Sequence, residues 1–263
     1  MGDIMGRLDR TGETILNNFG STMIIVEYIT NRDIDVYFPE YNWTAKGVTY
    51  QNFKNGNVKC PYEKRYYGHG FLGEGKYKMS KNGKITKSYQ VWCGILERCY
   101  NPKLHEKEPT YKGCTISKEW LNYQNFAEWY YNNYYEIEGE QIALDKDILV
   151  KGNKIYSEDT CIFVPQRINS LFTKRDKLRG EYPIGVYYNK RDKKFVSQCN
   201  VYDLKENKNK GIYLGYYDNP QEAFEVYKQF KEQNIKEVAN YYKDKIPKKL
   251  YDAMYKYEVY ITD

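Results

Sequence analysis

Hydrophobic and polar positions fall into three rhythms along the chain. Near the N-terminus, Met23–Ile29 and Ile34–Phe38 are rich in β-branched and aromatic residues, with Asn31, Arg32 and Asp33 between them. Such runs around a turn-forming cluster predict two strands. Tyr50–Phe53, followed by Asn55, Gly56 and Asn57, predicts a helical turn and a tight loop. Residues 1–62 are therefore expected to form a small β-rich module, with too few elements for much of a core alone.

Further along, the apolar period lengthens. Tyr89–Tyr100 places Val91, Ile95, Leu96 and Cys99 near helical spacing and stops at Asn101-Pro102. Glu119–Tyr134 predicts a second helix with Trp120, Tyr123, Phe126, Ala127, Trp129 and Tyr130 on one broad aromatic face, read as core. From residue 182 the rhythm changes again. Ile184–Tyr188, Lys194–Tyr202 and Lys210–Tyr217 predict three strands, and Asp218, Asn219 and Pro220 cap a helix carrying Ala223, Phe224, Val226, Tyr227 and Phe230. Lys248–Asp263 is expected to hold a tail helix with Leu250, Ala253, Met254 and Tyr257 on one side. The fold class is α+β and multidomain: residues 1–62, a linker at 63–88, a central domain at 89–179, a three-stranded sheet plus helix at 182–245, and a tail at 246–263.

Composition sharpens this in one respect. Aromatic residues make up 17% of the 263 positions and Tyr alone supplies 31, which leaves the chain unusually aromatic yet polar. A net charge of +6 is too mild by itself to imply nucleic acid. Its placement says more: residues 63–88 hold Lys64, Arg65, Lys76, Lys78, Lys81, Lys84 and Lys87 against only Glu63 and Glu74. The six cysteines (Cys60, Cys93, Cys99, Cys114, Cys161 and Cys199) include no CxxC pair. Reduced, buried thiols are expected, and a structural zinc on Cys93, Cys99, Cys114 and Cys161 is not. No apolar run approaches the roughly 20 residues that span a bilayer, and no signal core opens the chain. A cytosolic protein without a membrane partner is the expectation.

Candidate chemistry concentrates in residues 143–172. Asp145 and Asp147 are flanked by apolar residues, Gly152-Asn153 forms a turn, Thr160–Val164 reads as a strand, and a helix carrying Asn169 follows. Strand alternation would put Asp145 and Asp147 on one face. Strand, turn, strand and helix, with an acid at the start and an Asn in the helix, is the skeleton of a ββα-metal nuclease site.

Two family resemblances follow from these residues. Residues 182–245 resemble the Apetala/ethylene-response-factor type of DNA-binding domain, through Gly185-Val186-Tyr187, the basic turn, Lys194-Phe195-Val196, Tyr213-Leu214-Gly215-Tyr216-Tyr217, and Ala223 and Tyr227. Residues 89–172 are similar to the HNH endonucleases of phages and mobile introns. The match runs through Arg98-Cys99-Tyr100-Asn101, Tyr111-Lys112-Gly113-Cys114, Glu119-Trp120, Phe126, Leu144-Asp145-Lys146-Asp147-Ile148, Gly152-Asn153, Tyr156-Ser157, Cys161 and Asn169.

The first resemblance implies a sheet laid in the major groove of double-stranded DNA. Lys190, Arg191, Lys193 and Lys194 would meet phosphates, Ser197 would lie on the contact surface, and Lys174 and Arg175 would add charge upstream. The second implies one divalent ion, Mg²⁺ or Mn²⁺, held by Asp145 and Asn169, because a carboxylate and an amide oxygen suit a hard cation. Where the family has a His that activates water, this chain has Lys146. An ordinary Lys, with a pKa of about 10.4, is protonated at neutral pH and makes a poor base unless strongly desolvated; it can hold a phosphate oxygen instead. Asp147, as a second metal contact or a water-orienting base, and His105, as the base, remain candidates, and His69 is one for a phosphate contact. The resemblance also implies a phage-encoded protein acting in the bacterial cytoplasm. Two functions stay open: a metal-dependent DNA endonuclease, and a non-catalytic DNA-binding protein on the same scaffold. An RNA-binding protein that stacks bases on tyrosines is a third. The sequence does not set the oligomeric state.

Overall fold

The computed structural model describes residues 9–172, 181–203 and 208–262, and the chain divides into two compact units, Met1–Asn132 and Asn133–Asp263. In the first, β1 (Thr14–Leu16), β2 (Thr22–Thr30), β3 (Asp33–Phe38) and β4 (Trp43–Val48) form an antiparallel meander in that order. The period-two pattern of β3 buries Ile34, Val36 and Phe38 beside Met23 and Ile25. Helix α1 (Tyr50–Lys54) closes the module, inserting Phe53 into the same core. Thr49 caps it, its Oγ1 accepting from the Asn52 amide at 3.2 Å.

A short hairpin follows, β5 (Ser80–Lys81) and β6 (Lys84–Ile85). Then come α2 (Lys87–Tyr100), α3 (Pro102–Lys107), the two-residue strand β7 (Thr115–Ile116) and α4 (Tyr123–Asn133). Helix α2 buries Trp92, Ile95, Leu96 and Cys99; α4 buries Tyr123, Phe126, Ala127 and Tyr130. The aromatic stripe is core, as its spacing predicts, and Trp92 Nε1 donates to the Trp120 carbonyl at 2.7 Å. The single helix expected over Glu119–Tyr134 is split. Glu119–Leu121 is a 3-10 turn, Asn122 is extended, and the Asn122 side chain accepts the Gln124 amide, restarting the helix.

The second unit opens with β8 (Ile142–Asp145), the short β9 (Ile155–Tyr156) and β10 (Ile162–Pro165). Strands β8 and β10 pair antiparallel, Asp145 opposite Ile162 and Ile142 opposite Pro165. Helix α5 (Gln166–Phe172) follows at once and packs against both. Next, β11 (Val186–Asn189), β12 (Lys194–Asp203) and β13 (Lys208–Tyr217) form an antiparallel sheet with β12 central. Helix α6 (Pro220–Tyr242) is capped by Asn219, whose side chain accepts the Glu222 amide at 2.9 Å, and α7 (Lys248–Tyr255) follows.

The structure departs from the expected segments at α6. Its first turns bury Ala223, Phe224 and Tyr227 against Val186 and Cys199 of the sheet. Its last turns bury Ile235, Val238, Ala239 and Tyr242 with Ile148, Ile162, Val164 and Ile168 of the strand–strand–helix piece, together with Leu250 and Met254 of α7. At 23 residues the helix is on the order of 35 Å long. It outruns the sheet, and its apolar face continues over a second core. The divisions expected at 179–182 and 245–246 therefore fall inside one unit. The architecture is a mixture of helices and several small sheets. Among the described residues, no helix is long and apolar enough to cross a membrane.

Candidate metal centre and nucleic-acid interface

Asp145 ends β8 where the backbone turns away from the hairpin. Its Oδ1 accepts the amides of Asp147 and Ile148 at 2.8 and 2.7 Å, so one carboxylate oxygen caps the turn. Burial raises its pKa above the ordinary carboxylate value, and the two amides offset part of that shift. Asn169 sits half-buried on α5, next to fully buried Ile168, on the helix that packs over both strands.

The strand stops at Asp145, so the shared face expected for Asp145 and Asp147 does not form. Asp147 lies in the turn and is exposed. Its carboxylate receives the Lys146 ammonium at 2.7 Å on each oxygen. Lys146, expected to hold a phosphate oxygen or, if strongly desolvated, to act as the base, is buried with its side chain 8% exposed, and Nζ also donates to the Asn153 carbonyl at 2.8 Å. Asn153 returns the contact: Nδ2 donates to the carbonyls of Lys146 and Ile155, and Oδ1 accepts the Ile155 amide. Lys146 and Asn153 are thus the clasp of the loop. Gly152, at φ 76°, makes the turn that brings Asn153 round.

Both histidines have partners within their own unit. His105 Nε2 donates to the Arg98 carbonyl at 2.8 Å, and His69 stacks on Tyr100 with centroids 3.8 Å apart; both belong to the first unit. Cys161, just before β10, is buried, and burial pushes its thiol up to about 12. Among the described residues, no three His, Cys, Asp or Glu side chains gather closely enough to hold a metal ion. A carboxylate and an amide oxygen are hard donors, a set that suits Mg²⁺ and not a soft metal.

The three-stranded sheet has two unlike faces. On the covered face Gly185, at φ 77°, lies so close to Tyr227 that a Cβ would meet the ring at 2.0 Å; only glycine fits. Ser197 is on this covered side, 0% exposed, and cannot reach a groove. On the open face Tyr187 and Tyr216 flank Val196 in register, and Tyr213 stands 5.4 Å from Tyr216, all three well exposed. The hairpin turn is exposed at Lys190, Arg191 and Lys193. Asp192 neutralises part of it: it pairs with Arg191 Nε at 2.9 Å and accepts the Tyr216 hydroxyl at 3.0 Å, and its pKa lies below the usual value, chiefly through Arg191. Lys194 pairs with Asp218. Lys190 and Lys193 are left without a carboxylate partner among the described residues, while Lys174 and Arg175 lie outside those residues. The open-face tyrosines escape a search for basic residues, and plain alternation would split Tyr213 from Tyr216; the register shift between them, opposite Ser197 and Gln198, breaks that alternation.

Compared with protein-family models, curated proteins and solved structures, the chain matches none.

Proposed function

We propose that the chain is a metal-dependent DNA endonuclease whose candidate centre is the β8–β10–α5 hairpin and helix. The observation that carries this reading is the joint position of Asp145, at the end of the first strand, and Asn169, on the helix packed over both strands. These two residues would hold one Mg²⁺ or Mn²⁺, which when bound supplies charge stabilisation at a phosphodiester and at the leaving oxygen. Asp145 binds with the oxygen its turn leaves free. Asp147, whose carboxylate holds Lys146 at the solvent edge of the turn, would orient a water. The open face of the C-terminal sheet, with Tyr187, Tyr213 and Tyr216 beside Lys190, Arg191 and Lys193, is the proposed duplex contact.

One observation favours a second reading, DNA binding without cleavage. Lys146 stands where the resemblance implies a base, and its ammonium is spent on Asp147 and Asn153. The two readings separate in a nicking assay on plasmid DNA with Mg²⁺, Mn²⁺ or chelator. Metal-dependent nicking that falls by at least about a hundredfold in Asp145→Ala and Asn169→Ala, with duplex affinity kept, is the expected result. Tight binding with no cleavage under any metal leaves the second reading.

A further inference from the structure

We infer that the β5–β6 hairpin of the first unit is a second, sequence-independent contact to the phosphate backbone of duplex DNA; this rests on DNA being the partner. The hairpin is built, and among its exposed side chains Met79 Sδ accepts the Tyr66 hydroxyl at 3.7 Å. All eight residues from Lys78 to Ile85 are exposed, Ile85 at 58%. A two-stranded hairpin has little stability of its own in water, and this one is held at its base. Thr86 Oγ1 donates to the carbonyls of Lys78 and Met79 at 3.2 and 3.1 Å, and the Thr86 amide bonds the Met79 carbonyl. Tyr123 adds its hydroxyl to the Lys78 carbonyl, and Gln124 holds both the amide and the carbonyl of Tyr77 at 3.0 Å. At the tip, Asn82 and Gly83 have φ 53° and 73°, the positive values a tight two-residue turn requires.

The charge on this arm opposes its own folding. Lys81 and Lys84 are direct cross-strand partners, a like-charge pairing that weakens a ladder. Lys87 lies on the first turn of α2, where a cation meets the positive end of the helix dipole. From Gly75 to Leu96 there is no acidic residue, and none of Lys76, Lys78, Lys81, Lys84 and Lys87 has a carboxylate partner among the described residues. Nearby Arg65 differs: it sits 3.7 Å from buried Glu63 and over the Phe19 ring. A projecting set of ammonium groups without carboxylate partners fits a polyanion, and duplex DNA presents about one negative charge per 1.7 Å of axis. Lysines serve phosphates as point charges, which suits a contact that positions the duplex without reading it.

The test is duplex affinity across a salt series, in chelator so that the DNA survives, using a short duplex of mixed sequence. In the full chain carrying Lys78→Gln, Lys81→Gln and Lys84→Gln, the slope of log affinity against log salt should flatten by roughly 2 to 3 units, about 0.9 for each phosphate no longer neutralised. The matching Lys→Arg triple should keep the wild-type slope. Thermal unfolding of the Gln triple should be unchanged or slightly raised, since it removes the Lys81–Lys84 repulsion and buries nothing new. An unchanged slope on a wild-type protein that binds duplex overturns the hairpin contact and leaves the DNA reading standing. Binding by the Gln triple that is lost only to phosphatidylserine vesicles, with the duplex slope intact, also overturns it in favour of a membrane surface. Absence of duplex binding by the wild type removes the underlying reading, and the inference with it.

Discussion

Asp145 shows how one carboxylate is asked to do two things. Its Oδ1 caps the turn at Asp147 and Ile148, while burial favours the protonated form. Below the pKa of an unfolded Asp the residue is protonated in both states and adds no pH dependence. As pH rises past that value the unfolded chain ionises first, so stability declines until pH passes the raised folded value, and the loss then stays constant. Asn at this position keeps the oxygen that caps the turn and removes the buried charge. Asp145→Asn is therefore expected to stabilise the metal-free protein at neutral pH by up to about 1 kcal/mol, and, on the proposed function, to abolish cleavage. Denaturant unfolding in chelator, run across the acid range, checks it: the variant should lose the part of the slope that Asp145 contributes, and an unchanged profile would place the raised pKa elsewhere. The sequence supplied Asp145, Lys146 and Asn169 as names. That Lys146 would clasp Asn153 instead of facing a ligand was not legible, because the partner of a buried ammonium depends on how its loop closes. The fate of Ser197 was hidden for the same kind of reason: the register of β12 put it on the side that α6 covers.

Among the elements, α6 is the one whose role changed most. Its cap at Asn219 and its first apolar positions were legible, because capping and period are local properties. Its continuation as the spine of a second core was not, since that depends on Ile148, β10 and α5 packing with Ile235, Val238 and Ala239. The exposed Gln233 lies between the two stretches. Gln233→Pro removes a backbone donor and breaks the helix there, at a cost of about 3 kcal/mol or more. The sheet and the strand–strand–helix piece should then lose protection at different denaturant concentrations in hydrogen exchange, where the wild type loses them together. Joint loss in the variant would mean that other contacts couple the two cores.

For the whole molecule, the decisive feature is the boundary at residue 132. All four tryptophans, Trp43, Trp92, Trp120 and Trp129, belong to the first unit, so indole fluorescence reports that unit alone. Asn133–Asp263 expressed by itself is expected to fold cooperatively around its two cores, with a circular-dichroism transition that coincides with the fluorescence-silent part of full-length unfolding. A fragment without a transition would show that this unit needs the first. What the sequence determined by itself is the local grammar: the β2–β3 hairpin and the three strands β11 to β13, the cap at Asn219, the aromatic core helices, and the strand–turn–strand–helix order around Asp145. These follow from turn chemistry and from periods of two and 3.6, which involve residues a few positions apart. What the tertiary structure decided is partnership. Tyr242 donates to Glu140 across 102 positions, Lys146 reaches the carbonyl of Asn153, and Tyr187, Tyr213 and Tyr216 gather on one open face. Burial and pairing between residues distant in the chain are set by packing, and packing leaves no trace in a local pattern.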